Sequence, residues 1–298
     1  MIIFLVLLTH KAFIFKCRTL FLLFNKIGKP LKLLFRTLFF LFLSLLSKAQ
    51  DQKIVYPHQV FWHKTEINEF FDENWGVGAD LVYRSKNELN SGGMFDSHLR
   101  TSIRPWINYQ FNKNSRLSIS PIGYMYTNEY IGKEEDYLRE PYYELRTTFQ
   151  FFHHQKPESG KWMHTWRYRY ELRWQEQANS DDYRFLMRFR LRYRLRYMIN
   201  TNDFYENNTL YAAVSNEIGL NIGKNVTYNT FNQNRLYVGL GYRFLDVARI
   251  ELRYVDRFRT RGSTGIEFDH GRGLMIGFYI DQLSGLWKSD DQGVRYSD

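Results

Sequence analysis

Nine arginines on two neighbouring stretches pose the first chemical question. Arg167, Arg169 and Arg173 fall on odd positions, and Arg184, Arg188, Arg190, Arg192, Arg194 and Arg196 on even ones. A guanidinium keeps its proton in a protein, so it is a poor acid or base, while its planar fork of donors suits carboxylates, phosphates and other anions. The chemistry on offer is therefore anion binding. Two strand rises separate adjacent members by ~6.7 Å, and like charges at that spacing repel by ~2.5 kcal/mol per pair at an effective dielectric of ~20. Such a ladder needs carboxylates, water or anions beside it. Glu171 within the first stretch, Glu140 and Glu144 before it and Glu217 after it are the candidate counter-charges. One reading is an Arg/Glu network that fills and stiffens a narrow lumen. The other is a positive wall that draws in anionic solutes, since these two stretches carry only Glu171 against their nine arginines. The two readings can coexist.

The elements that position this ladder are strands. From Tyr183 to Ile199 aromatic and aliphatic residues alternate with arginines, a period of two that sends successive side chains to opposite faces. The eight rises from Arg188 to Arg196 span ~27 Å, close to the ~25 Å apolar band crossed by a transmembrane barrel strand. The same alternation recurs through Val60–Ile67, Trp75–Tyr83, Leu99–Tyr109 (with His98, Arg100, Ser102 and Arg104 on the other face), Leu117–Pro121, Tyr143–Phe151 and Trp162–Trp174. It continues through Leu210–Ile222, Gln233–Phe244, Arg249–Arg257 and Arg272–Ile280. Turn residues bound each segment, and no segment reads as a long helix. Strands this long exceed those of soluble sheets. The expected fold is an all-β antiparallel transmembrane β-barrel with a polar, arginine-rich interior. Eleven strands are countable, but closed antiparallel barrels of single bacterial chains are even. Twelve is therefore the expectation and ten the alternative.

The amino-terminal region changes how the charge is read. Residues 1 to 49 hold eight Lys or Arg and no acid, and the apolar run Leu38–Leu46 precedes Ser47-Lys48-Ala49. This pattern is expected of a signal peptide with a long leader, leaving residues 50–298 as one barrel domain. Taking its eight basic residues from the net charge of +10 leaves +2, which removes the basis for a nucleic-acid partner. The lone Cys17 lies in the leader, so no disulfide or thiol chemistry is expected, and no cofactor or metal site stands out. The localisation expected is the outer membrane of a Gram-negative bacterium. Its lipids, the barrel-assembly machinery during biogenesis and small anionic solutes are the expected partners. His98, His153, His154, His164 and His270 form no spacing that points to an enzyme, so no catalytic residues are assigned. The loop from Asn128 to Arg139 is acidic and aromatic and reads as a solvated loop.

One family resemblance rests on particular residues. Arg167, Arg169, Glu171 and Arg173 after Trp166, the ladder from Arg184, then Glu217, lead into Asn232-Gln233-Asn234-Arg235-Leu236-Tyr237-Val238-Gly239-Leu240-Gly241-Tyr242. This combination resembles the uncharacterised proteins grouped as domain of unknown function 2490. The resemblance implies an outer-membrane barrel and brings no reaction or ligand with it. Gly239 and Gly241 lie inside a strand pattern with no helix to follow, so they permit curvature or close packing and form no phosphate loop. The functional expectation is an outer-membrane barrel with a narrow anion-favouring channel. The alternatives are a non-conducting structural or partner-binding barrel and a lipid-modifying enzyme.

Overall fold

Alternating side chains become strand pairing around a complete ring. The computed structural model describes residues 53–155, 160–177, 182–262 and 264–287, so the expected leader and its cleavage site lie outside the described residues. The strands are β1 (Ile54–Phe70), β2 (Trp75–Lys86), β3 (Ser97–Asn112), β4 (Ser115–Thr127), β5 (Tyr142–Gln155) and β6 (Trp162–Glu176). They continue with β7 (Tyr183–Met198), β8 (Thr209–Ile222), β9 (Phe231–Leu245), β10 (Ala248–Thr260) and β11 (Glu267–Ile280). Each pairs with its sequence neighbour, and β1 closes the barrel on β11. Among the described residues no helix is long and apolar enough to cross a membrane, which says nothing about a barrel that crosses with strands.

The ring has eleven strands, not twelve or ten. All sequential neighbours are antiparallel, whereas β1 runs parallel to β11 from Ile54↔Glu267 to Ile67↔Ile280. The even-number rule assumes an antiparallel closing pair, and one parallel pair lets an odd ring close. The strand near Val60 thus needs no partner strand before it.

Two breaks in register bear on which side chains face inward. Pro105 and Pro121 both fall in one break of the β3–β4 register, where a residue without an N–H costs no ladder bond. Between β2 and β3 the register shifts so that Arg84 faces Arg100 and Ser85 faces His98, leaving Leu99 unpaired. This bulge turns Leu99 into the interior and His98 outward between Tyr83 and Tyr126, the reverse of the expected parity. The outer wall is apolar: Ile122, Leu240 and Leu252 are 55%, 54% and 54% exposed. The interior carries the charged residues instead, with an apolar cluster towards each end. At the long-loop end Val60, Trp62, Leu99, Val255 and Met275 pack with Tyr130, and at the other end Met163, Met198 and Tyr211 pack with Phe204.

Candidate functional site: the charged lumen

Strand register lays the charges side by side. Arg167 pairs in register with Arg192, Arg192 with Glu217, Glu217 with Arg235 and Arg235 with Arg257, a row across five strands with one acid. Like charges directly opposite each other destabilise a sheet, so the acids must each serve several arginines. Glu171 accepts from Arg188 Nε at 2.6 Å, Arg190 Nη1 at 3.1 Å and Arg146 Nη1 at 3.2 Å. Glu217 takes Arg167, Arg190 Nε at 3.0 Å and Arg235 Nη1 at 3.2 Å. Glu144 is held by Arg173 through two bonds of 2.8 Å and by Arg146 Nε at 2.8 Å. Arg169 turns to Gln150 at 2.8 Å, Arg194 reaches Glu251 only at 3.8 Å, and Arg196 meets Thr165 at 3.4 Å. Of the nine arginines expected in the lumen, eight are there. Arg184 is exposed at the start of β7 and donates to the Asn225 carbonyl, because the inward parity continues past the rim. Glu140 likewise is exposed ahead of β5 and is no counter-charge in the lumen.

The centre of the lumen keeps a cavity of about 100 Å³. Fourteen Lys or Arg side chains line it against three carboxylates (Glu66, Asp80 and Glu217), an excess of eleven. Counting Glu144, Glu171 and Glu251 close behind that lining leaves eight. Two of these cations, Arg84 and Arg192, have neither carboxylate nor hydrogen-bond partner among the described residues. Arg84 instead stacks over Trp62, 4.0 Å from the ring centroid. Charges in low dielectric are costly unless paired, so this space requires water or anions.

A loop residue is buried at each mouth of the lumen. Tyr130, from the β4–β5 connection, is buried against His58 with a centroid separation of 4.4 Å and accepts from Arg257 at 3.3 Å. The same connection is tied down through Asp136, which takes Arg261 at 2.7 Å and the Gly132 amide at 2.8 Å. The expected solvated loop is thus docked, since Arg259 and Arg261 present inward cations at the end of β10. At the opposite mouth Phe204, from the β7–β8 connection, sits among Arg196, Arg243 and Arg249 at 4.6, 4.7 and 5.6 Å.

The histidines do not converge. His58 meets Asp269 inside, His270 meets Asp256 outside, and His164 meets Tyr193. Ser115 and His153 do form a pair at 3.1 Å, but the other ring nitrogen faces Gln155 at 3.5 Å where a carboxylate would be needed to orient it.

A family model described as a protein of unknown function (DUF2490) matches residues 59–266. The chain belongs to this family. No curated protein matches the chain. Two solved structures are similar in outline. One is a "bacterial polysaccharide outer membrane secretin", with 11% identity and a TM-score of 0.42, covering 70% of this chain and 64% of that one. The other is the NanC porin, with 13% identity and a TM-score of 0.37, covering 72% of this chain and 90% of that one. The chain thus spans under two thirds of the first. The Asn232–Tyr242 part of the DUF2490 resemblance lies on β9 and works on both faces. Gln233 accepts from Arg235 at 2.9 Å and Arg257 at 3.0 Å, Asn232 accepts from Arg188 at 3.0 Å, and Tyr237 packs on Trp62. Outside, Asn234 exchanges amide bonds of 3.0 Å with Asn216. Gly239 leaves room for Arg253 and Gly241 for Tyr211. A second inward ladder, Arg249, Glu251, Arg253, Arg257 and Arg259 on β10, was equally visible as a period of two.

Proposed function

We propose that this DUF2490 protein is an outer-membrane barrel whose lumen binds and passes small anions. The observation that carries this reading is the cavity's excess of cations, with Arg84 and Arg192 left without an ion pair or hydrogen bond among the described residues. A lumen built only as a stiffening network would match its guanidinium groups with carboxylates. The membrane setting is supported by the exposed apolar outer wall, which a soluble barrel would have to hide, and by the signal-like leader. Lipids of the outer membrane cover that wall, and the barrel-assembly machinery inserts it. The protein is not an enzyme on this reading, and no metal or cofactor takes part.

Tyr130 and Phe204 favour a second reading, a non-conducting barrel, because one is buried at each mouth. Planar-bilayer recordings separate the two. The anion reading expects channel events whose reversal potential favours anions and whose selectivity falls in Arg192→Gln. Silence under all voltages, or a cation preference unmoved by that substitution, would sink it.

A further inference from the structure

We infer that the central cavity is a binding site for one compact oxyanion carrying two or more negative charges, of the size of orthophosphate. This rests on the anion reading above and names its ligand.

Donor chemistry is the first argument. The Nε groups of Arg84, Arg104, Arg167, Arg192, Arg235 and Arg253 and the indole N–H of Trp62 have no acceptor among the described residues. All of these residues line the same cavity, and Trp62 itself is 1% exposed. Every orphan in this set is a donor. These Nε and indole groups are sealed in the wall, so a bound anion meets the outer guanidinium nitrogens of Arg84 and Arg192, which are neither sealed nor hydrogen-bonded among the described residues. Their complement is a group presenting several acceptor oxygens, which a halide cannot do. An oxyanion accepts two parallel bonds from one guanidinium edge and can receive several arginines at once.

Placement is the second argument. Arg84 on β2 and Arg192 on β7 stand five strands apart in a ring of eleven, on opposite walls of the cavity. A ligand held between them touches both sides of the barrel. The Trp62 ring carries Arg84 at 4.0 Å and Arg235 at 5.4 Å. Stacking fixes the plane of each guanidinium and leaves its N–H edge for an acceptor beside the ring.

Size and charge narrow the class. At ~10–15 Å³ of such volume per water, a cavity of about 100 Å³ holds roughly seven to ten waters. Orthophosphate or sulfate fits by displacing a few of them. With an excess of eleven cations in the lining, a divalent or trivalent ion neutralises more charge per unit volume than a monovalent one.

The test is calorimetric titration of the purified full chain, folded in detergent, with sodium phosphate and separately with sodium chloride at matched ionic strength. The expected result is saturable binding of about one phosphate, displaced by sulfate and not by chloride. Arg84→Gln and Arg192→Gln are each expected to weaken it by about tenfold or more. Arg272→Gln, at a 58% exposed side chain on the outer wall, leaves it unchanged. Should the glutamine variants fail to fold, Arg84→Lys and Arg192→Lys keep the charge and remove the fork, and they too are expected to bind several-fold more weakly. Absence of saturable phosphate binding, or equal affinity in the parent and the lysine variants, overturns the site. The two proposals fail separately. Phosphate binding in a protein that never conducts sinks the path and keeps the site, whereas anion conductance with no phosphate binding keeps the path and sinks the site.

Discussion

The ring of Tyr211 occupies the place that a side chain at Gly241 would need. A Cβ on Gly241 would stand 2.2 Å from Tyr211 Cζ, and the two residues are register partners on β8 and β9. The bare strand lets the tyrosine lie across its neighbour and donate to Glu251 on β10 at 2.6 Å. Gly241→Ala must push the ring away and break that bond. Overpacking of this kind costs ~1–3 kcal/mol. The expected outcome is a lower urea midpoint, followed by the gel shift between folded and unfolded barrel. An unchanged midpoint would mean that Tyr211 relaxes freely and is no fixed part of the lumen.

Phe204 is the mouth residue whose removal is easiest to read. It is fully buried among three guanidinium groups and the Tyr211 ring, 5.0 Å away. Phe204→Ala is expected to lower stability by ~3–5 kcal/mol, as for other buried aromatics. On the anion-path reading it also opens the short-turn mouth, so mean open-channel conductance in planar bilayers is expected to rise by a factor of about two or more. Lost stability with unaltered conductance would show that Phe204 packs beside the path and does not close it.

Docking of the β4–β5 connection depends on the charge of Asp136. Burial alone would raise this carboxyl, but the Gly132 amide and the Arg261 guanidinium hold it below its ordinary value of 3.8. A depressed carboxyl contributes stability that is complete above the unfolded value and is lost as pH falls through the lower folded one. Docking is therefore expected to stay constant from neutral pH down to about 4 and to weaken only below it. Asp136→Asn is expected to release the connection at pH 7. Proteolytic cleavage near the exposed Tyr137 and Leu138, or their amide exchange, reads this directly. Release that sets in between pH 7 and 5 would point to a different titrating group.

The ladder on β7 and its partners Glu144, Glu171 and Glu217 were legible because a period of two needs only local sequence. Arg249 to Arg259 on β10 obeyed the same rule. Other features depend on contacts that no local pattern encodes. The parallel β1–β11 pair joins the first and last strands of the chain, so counting strands was sound while the parity rule misled. One unpaired residue at Leu99 reversed the faces of His98 and Leu99. Arg184 kept the right parity but stood beyond the rim. Trp62, Tyr130 and Phe204 were missed because lumen positions are expected to be polar, and here aromatics carry the stacked arginines.

Glu171 offers the sharpest test of how the lumen balances its charge. Its carboxylate meets Arg146, Arg188 and Arg190 within 3.2 Å, and Arg169 lies at 3.9 Å. Glu171→Gln keeps the shape, removes the charge and leaves these cations to one another. Removing one partner of a buried ionic group costs ~3–5 kcal/mol, because the remaining charges stay desolvated. The variant is therefore expected to unfold at a lower urea concentration and, where it conducts, to favour anions more strongly than the parent. An anion from solution can take the place of the lost carboxylate. Binding to the folded state alone stabilises it in proportion to the logarithm of ligand concentration. Added phosphate is thus expected to restore more of the midpoint in Glu171→Gln than it adds to the parent at equal ionic strength. Equal gains in both proteins would mean that the extra positive charge is met by rearranged protein groups, and the lumen would not be reading anions at Glu171.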